Sequence, residues 1–162
     1  MSTIRYRWLA VIAVAAGVLG WAVNSFLSAN GYPAPVLSPV ALVAIAVVLV
    51  LTLVLGFRVR RWRNGDRDRD LDPLAAARTV VLAQAITYAG SLLLGWHAAV
   101  FLALLPLWSL RPGHAPTWAS LAVAAGGVLM IAAGLTVERF CKLPPDDHDG
   151  NGSGTEDGEE YA

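Results

Sequence analysis

The feature that most constrains this chain is a run of fifty residues, 8–57, that contains no charged side chain. A bilayer core of about 30 Å is crossed by roughly 20 apolar residues in an α-helix. The run is therefore long enough for two crossings, and its turn-forming residues cluster in SANGYPAP, residues 28–35. Two more runs without Asp, Glu, Lys or Arg follow at 79–110 and 117–137.

Together the three runs provide four crossings and predict four membrane helices, because each backbone polar group in lipid must find its partner within its own segment. Pro106 is expected to end or kink the third helix. The first run follows Arg5 and Arg7 but is longer than the roughly 7–15 residues of a signal-peptide core, so we expect an uncleaved anchor. The predicted spans are 8–27, 36–57, 79–105 and 117–137.

The basic residues predict the orientation of the chain. Eleven of the twelve Lys and Arg residues precede the first span, follow the fourth, or lie in the loop 58–78. Basic residues near span ends accumulate on the cytoplasmic side, so both termini are expected in the cytoplasm, under the plasma membrane. Their side chains can reach anionic lipid headgroups. The residues assigned to this role are Arg5, Arg7, Arg58, Arg60, Arg61 and Arg63.

The same loop does not predict nucleic-acid binding. Such binding needs a basic face free of carboxylates. Here Asp66, Asp68 and Asp70 alternate with Arg67 and Arg69. We expect no nucleic-acid partner.

Small residues recur at helical spacing in the first and fourth spans. Helices in lipid associate through close backbone approach and side-chain hydrogen bonds. We therefore expect the first, third and fourth spans to share the tightest contacts and the second to face lipid most. The predicted packing residues are Ala13, Gly17 and Gly20 in the first span and Gly127 and Gly134 in the fourth.

A stripe of polar residues in the third span is the candidate site inside the membrane. Gln84, Tyr88 and Ser91 follow one another at helical spacing, and His97 and Asn24 are expected at a similar outer level. One interpretation is hydrogen bonding between helices. The other is a small cavity that binds or passes a small molecule.

Other chemistry is poorly represented. A single cysteine, Cys141, excludes an intramolecular disulfide and a Cys-rich metal site, and we expect it to be a packing position. His97 and His114 supply too few ligands for a metal. No nucleophile–base pair or paired carboxylates stand at a plausible spacing, so we expect neither an enzyme nor a cofactor.

The chain is predicted to divide into a membrane domain, 1–143, and a disordered tail, 144–162. The tail has seven carboxylates and almost no aliphatic side chains, a composition that cannot form a packed core. The predicted fold class is an all-α, four-helix membrane bundle followed by this acidic tail.

Two segments, LDPLAAARTVVLAQA at 71–85 and VERFCKLPPDD at 137–147, carry a family resemblance. With four spans and an acidic tail, the chain resembles the actinobacterial membrane proteins of domain of unknown function family 3180. The resemblance implies four helices in a plasma membrane, and it supplies no activity, cofactor or catalytic residue. Genes of the family often lie near folate-biosynthesis genes.

Three functions compete at this point. The favoured one is a non-enzymatic scaffold or accessory subunit that binds a protein partner or a second copy of itself. The alternative is a small-molecule carrier or permeability factor, for which the folate association would be relevant. A membrane enzyme is least favoured.

Overall fold

The computed structural model describes residues 6–38, 40–63, 73–110 and 114–141. They form four α-helices and, within those ranges, no strand: α1 Tyr6–Ala29, α2 Val40–Arg63, α3 Pro73–Leu110 and α4 Ala115–Cys141. All four are long and apolar enough to cross a membrane. The predicted all-α membrane bundle is confirmed. Arg5, residues 64–72 of the loop 58–78 and the predicted disordered tail lie outside the described residues.

The helix α2 begins at Val40, four residues later than predicted, and residues 36–38 are not helical. Ser38 precedes a proline in the sequence, and a residue before proline is disfavoured in the α conformation. The Ser38 carbonyl accepts the Ala41 N–H at 2.9 Å, which starts the helix. At its other end α2 extends past the predicted boundary to Arg63. The arginines that follow Phe57 therefore belong to its last turns.

The apolar stretch of α3 that is long enough to cross a membrane is Ala77–Pro106, close to the predicted span 79–105, but the helix itself continues through Pro106 to Leu110. Proline has no N–H to donate to the carbonyl four residues earlier. Only about one helical turn follows Pro106, so the cost is confined to the end of the helix. The helix α4 also starts earlier than predicted, at Ala115.

The first helix ends in a glycine cap. Gly31 has a φ of 76°, a left-handed conformation that favours glycine. The Tyr32 N–H donates to the Leu27 carbonyl at 2.9 Å, and the Gly31 N–H donates to Ser28 at 3.2 Å. This pair of bonds is the Schellman arrangement, which satisfies carbonyls that the helix leaves open. The chain thus turns sharply after α1.

The helices pack in the order α1, α3, α4, α2 across the bundle. The largest interface joins α3 to α4; α1 packs on α3, and α2 packs on α4 with a smaller contact to α3. Within the described residues α1 does not contact α4. The expectation that the first, third and fourth spans share contacts therefore holds only through α3. As expected, α2 has the smallest buried share of the four spans.

The apolar core lies where three helices meet. Ile45 of α2, Ile86 of α3 and Val123, Met130 and Ala133 of α4 form one buried cluster. The first helix contributes nothing to this cluster, because it packs on the other side of α3. As a result, α3 has two packed faces.

Candidate functional site

The α3–α4 interface is closed at its middle by two glycines. A Cβ atom built on Gly90 would lie 2.7 Å from the Gly127 carbonyl oxygen, and one built on Gly127 would lie 2.7 Å from the Gly90 carbonyl oxygen. Gly134 extends the contact, since a Cβ there would lie 2.6 Å from the Ala83 carbonyl oxygen and would also meet the Thr87 hydroxyl. The predicted packing residues Gly127 and Gly134 both lie in this interface.

These contacts fix the register of the two antiparallel helices. Seven residues separate position 83 from 90 in α3, and seven separate 134 from 127 in α4. Seven residues are close to two helical turns, so the same face returns. The same register, continued by seven residues towards the C-terminal end of α3, places Ser120 opposite His97. Continued by four residues, about one turn, in the other direction, it places Glu138 opposite Thr79. All four of these polar side chains are buried, with exposed fractions of 0% for Ser120, 2% for His97, 6% for Glu138 and 5% for Thr79.

The hydroxyl groups in and around this interface bond to their own helices. Thr87 Oγ1 donates to the Ala83 carbonyl at 2.7 Å, and Ser91 Oγ donates to the Thr87 carbonyl at 3.0 Å. Ser120 Oγ donates to the Thr117 carbonyl at 2.9 Å. Such back-bonding consumes the hydroxyl hydrogen within the helix. These hydroxyls can still accept a hydrogen bond, but their donors are used.

The predicted polar stripe is divided between two faces of α3. Gln84, Tyr88 and Ser91 share a face with Gly95, where a Cβ would meet the backbone of Ala13 in α1. That face therefore points to α1. His97 follows Gly90 by seven residues and so lies on the opposite side, towards α4. The structure does not bring His97 together with the stripe.

The α1–α3 contact also uses small residues. A Cβ on Gly17 would lie 3.3 Å from the Gly95 carbonyl oxygen, and one on Gly20 would lie 3.0 Å from that of Trp96. Asn24 follows Gly20 by one turn and is buried, and its Oδ1 has no protein partner among the described residues. Because Asn24 reaches α3 from the α1 side, it does not share a site with His97.

His97 has one ring nitrogen in a hydrogen bond and one without. Nδ1 lies 3.1 Å from the Leu93 carbonyl oxygen. Nε2 is buried and has no protein partner among the described residues. Among the described residues, no group of three or more His, Cys, Asp or Glu side chains lies close enough together to bind a metal ion.

At the arginine-rich end of the bundle, α2 and α4 are joined by an aromatic and basic cluster. The rings of Phe57 and Phe140 lie 5.9 Å apart, and the Arg60 guanidinium lies 4.6 Å from the centre of the Phe140 ring. Arg58 and Arg61 are exposed beside it, as is Arg7 at the start of α1. Arg63 lies within the last turn of α2.

Two important positions were missed by sequence reasoning. Gly90 was not selected, although it precedes His97 by two turns and follows Ala83 by two turns. Glu138 directly follows the predicted fourth span and was not selected, yet it is buried and is not left without a partner. Its spacing of four residues from Gly134 was the available signal.

The chain was compared with protein-family models, with curated proteins and with solved structures. A family model described as "Protein of unknown function (DUF3180)" matches residues 9–145. A search of curated proteins and a search of solved structures each returned no match.

Proposed function

We propose that this protein is a non-enzymatic accessory subunit or scaffold of the plasma membrane. The chain belongs to the DUF3180 family of proteins of unknown function. The observation that carries this proposal is the contact between Gly90 and Gly127. Carriers usually bind their substrate near the bilayer midplane, between helices or repeats that can move apart. Here the middle of the largest helix interface is occupied by two backbones in contact.

The hydrogen bonding of the interior supports the same role. Thr87, Ser91 and Ser120 each donate to carbonyls of their own helix. Their hydroxyl hydrogens are therefore not available to a transported molecule. Side chains used in this way need no bound molecule to satisfy their donors, which is compatible with a fixed bundle. A fixed bundle with lipid-exposed flanks suits a protein that binds neighbouring membrane proteins.

The orientation belongs to this proposal. Arg58, Arg60 and Arg61 lie on the last turns of α2, and Arg78 lies on the early turns of α3. All four are exposed. Basic side chains at span ends favour the cytoplasmic side. We place this end of the bundle, and both termini, in the cytoplasm, where the arginines contact anionic headgroups.

A second candidate function, a carrier or permeability factor for a small molecule, is favoured by different atoms. His97 Nε2 and Asn24 Oδ1 are both buried without protein partners among the described residues. Buried polar atoms normally have a hydrogen-bond partner. A transported polar molecule would supply one. The two atoms lie on opposite sides of α3, however, so one molecule would not bind both.

Site-specific photo-crosslinking in intact cells tests the proposal. Benzoylphenylalanine is placed at Val14, an exposed position of α1, or at Val47, an exposed position of α2. If the protein is an accessory subunit, one of the two positions, but not both, should give a single discrete adduct with a partner protein or a second copy of the chain. The same product should form in a His97→Gln background, because the interior site does not contribute to the outer surface.

One combination of results would contradict the accessory role. If neither position yields a protein adduct, and the purified chain instead carries a small molecule that His97→Gln removes, the accessory role is wrong and the carrier is favoured. Mild-detergent co-purification supplies the independent readout. A stoichiometric partner that remains bound to the wild-type chain supports the accessory role.

A further inference from the structure

The hydrogen-bonding state of His97 follows from its neighbour. The Leu93 carbonyl oxygen can only accept, so the 3.1 Å contact requires the hydrogen to be on Nδ1. In a neutral imidazole, the other nitrogen then carries a lone pair. That nitrogen, Nε2, is buried and has no protein partner among the described residues. The ring is 2% exposed, so bulk solvent does not surround it.

The surroundings of Nε2 offer acceptors. By the register of the two helices, His97 faces Ser120, whose hydroxyl hydrogen is used by the Pro116 and Thr117 carbonyls, at 3.0 and 2.9 Å. The Ser120 oxygen retains its lone pairs. A group that satisfies both residues must therefore donate hydrogen bonds.

The charge of the bound group depends on whether a carboxylate lies nearby. The carboxylate of Glu138 lies at the opposite end of the α3–α4 interface, opposite Thr79 and about 27 Å along the helix from Ser120 at 1.5 Å per residue. A buried cation without a nearby counter-charge is costly. The partner is therefore expected to be neutral.

Ser120 and His97 lie close to the end of the bundle at which α4 begins. His114 precedes α4, and its Nδ1 lies 3.0 Å from the Thr117 hydroxyl, one turn beyond Ser120. Thr117 and Ser120 thus form a short row of buried polar side chains between the start of α4 and the level of His97.

We infer that the outer half of the α3–α4 interface contains a site for a neutral O–H donor, bound at Nε2 of His97 and facing Ser120. The donor is either water or the hydroxyl group of a small neutral solute. This site is separate from the lipid-facing surface of α1 and α2 that would bind a protein partner. The inference therefore does not depend on the proposed accessory role.

Nitrogen-15 NMR of the full-length chain in phospholipid nanodiscs, with labelled histidine, tests the inference. The signals of His97 are assigned by their loss in His97→Gln. The expected spectrum is a neutral ring protonated at Nδ1, with the Nε2 resonance displaced from the value of a free lone pair by a hydrogen bond. A ring protonated at Nε2, or an Nε2 resonance at the free value, would overturn the inference.

Two further measurements distinguish the sources of the hydroxyl. Cross-relaxation between water and the His97 ring protons is expected if water is the donor. A saturable shift of the Nε2 resonance on addition of glycerol is expected if a solute can occupy the site. Either result supports the site and identifies its occupant, whereas the absence of both would contradict it. His114→Gln, which removes a histidine outside the site, should leave the His97 resonances in place.

Discussion

Gly90 of α3 and Gly127 of α4 are in reciprocal backbone contact: a Cβ on either would lie 2.7 Å from the carbonyl oxygen of the other. Lipid tails are as apolar as leucine, so burial alone does not hold two membrane helices together. Close backbone approach is a principal source of their attraction. The Gly90–Gly127 contact therefore determines how α3 and α4 are arranged, and α1 and α2 pack on the outside of that pair.

Two adjacent glycines of α4 provide the sharpest test of this contact. Gly127→Ala should destabilise the bundle, because its Cβ would meet the Gly90 carbonyl and, at 2.9 Å, the Leu94 nitrogen. Overpacking of this kind costs about 1–3 kcal/mol. Gly126→Ala should be tolerated, because its Cβ would lie 3.3 Å from an Ile45 methyl group, which can shift. Thermal unfolding in detergent, followed by circular dichroism, compares the two variants.

Alanine also favours a helix over glycine by about 1 kcal/mol. Gly126→Ala should therefore unfold at or above the wild-type temperature, and Gly127→Ala clearly below it. Equal unfolding temperatures for the two variants would mean that the α3–α4 contact is not as close as described.

The polar side chains on the face of α3 that points to α1 should tolerate replacement by apolar ones. Gln84→Leu and Tyr88→Phe are each expected to preserve expression and to change stability only slightly, because hydrogen bonds between membrane helices average about 0.6 kcal/mol. Both side chains are half-buried. Size-exclusion chromatography of the purified variants measures the folded yield.

Gly95→Ala, on the same face, is the matched control for these variants. Its Cβ would meet the backbone of Ala13, so a strong loss of folded protein is expected. If Tyr88→Phe instead behaved like Gly95→Ala, the Tyr88 hydroxyl would have a role beyond packing.

The stability of the contact between the C-terminal end of α2 and α4 should depend on Arg60 more than on Arg61. Arg60 stacks on Phe140 at 4.6 Å, and a cation–π contact at an exposed site contributes about 0.5–1 kcal/mol. Arg60→Gln should lower the unfolding temperature modestly, and Arg61→Gln should lower it less. Phe140→Leu should remove the difference between the two arginine variants. An Arg60→Gln effect that persists without the ring would contradict the stacking.

The number and type of the helices could be read from the sequence because the apolar runs have the length of a membrane crossing. The helix ends could not, since local effects decide them. The restriction that proline places on Ser38 delays α2, whereas Pro106 lies so close to the end of α3 that the helix continues through it.

The polar stripe was harder to interpret because α3 is a central helix with two packed faces. Gln84, Tyr88 and Ser91 follow the face towards α1, and Gly90 and His97 follow the face towards α4. A single sequence gives the spacing along each face but does not identify the neighbouring helix. The candidate set therefore combined residues that lie on different faces of α3. The small residues of α4 were easier to select because Gly127 and Gly134 share one packed face.

The central claim is a four-span bundle whose arginine-rich end faces the cytoplasm, and reporter fusions test it most directly. Alkaline phosphatase, which is active only outside the cytoplasm, is inserted after Gly31 in the turn that follows α1, or fused after Ala162 at the C-terminus. A fluorescent protein that matures in the cytoplasm is placed at the same two positions. We predict phosphatase activity only after Gly31 and fluorescence only after Ala162. Phosphatase activity after Ala162, or fluorescence after Gly31, would contradict the account.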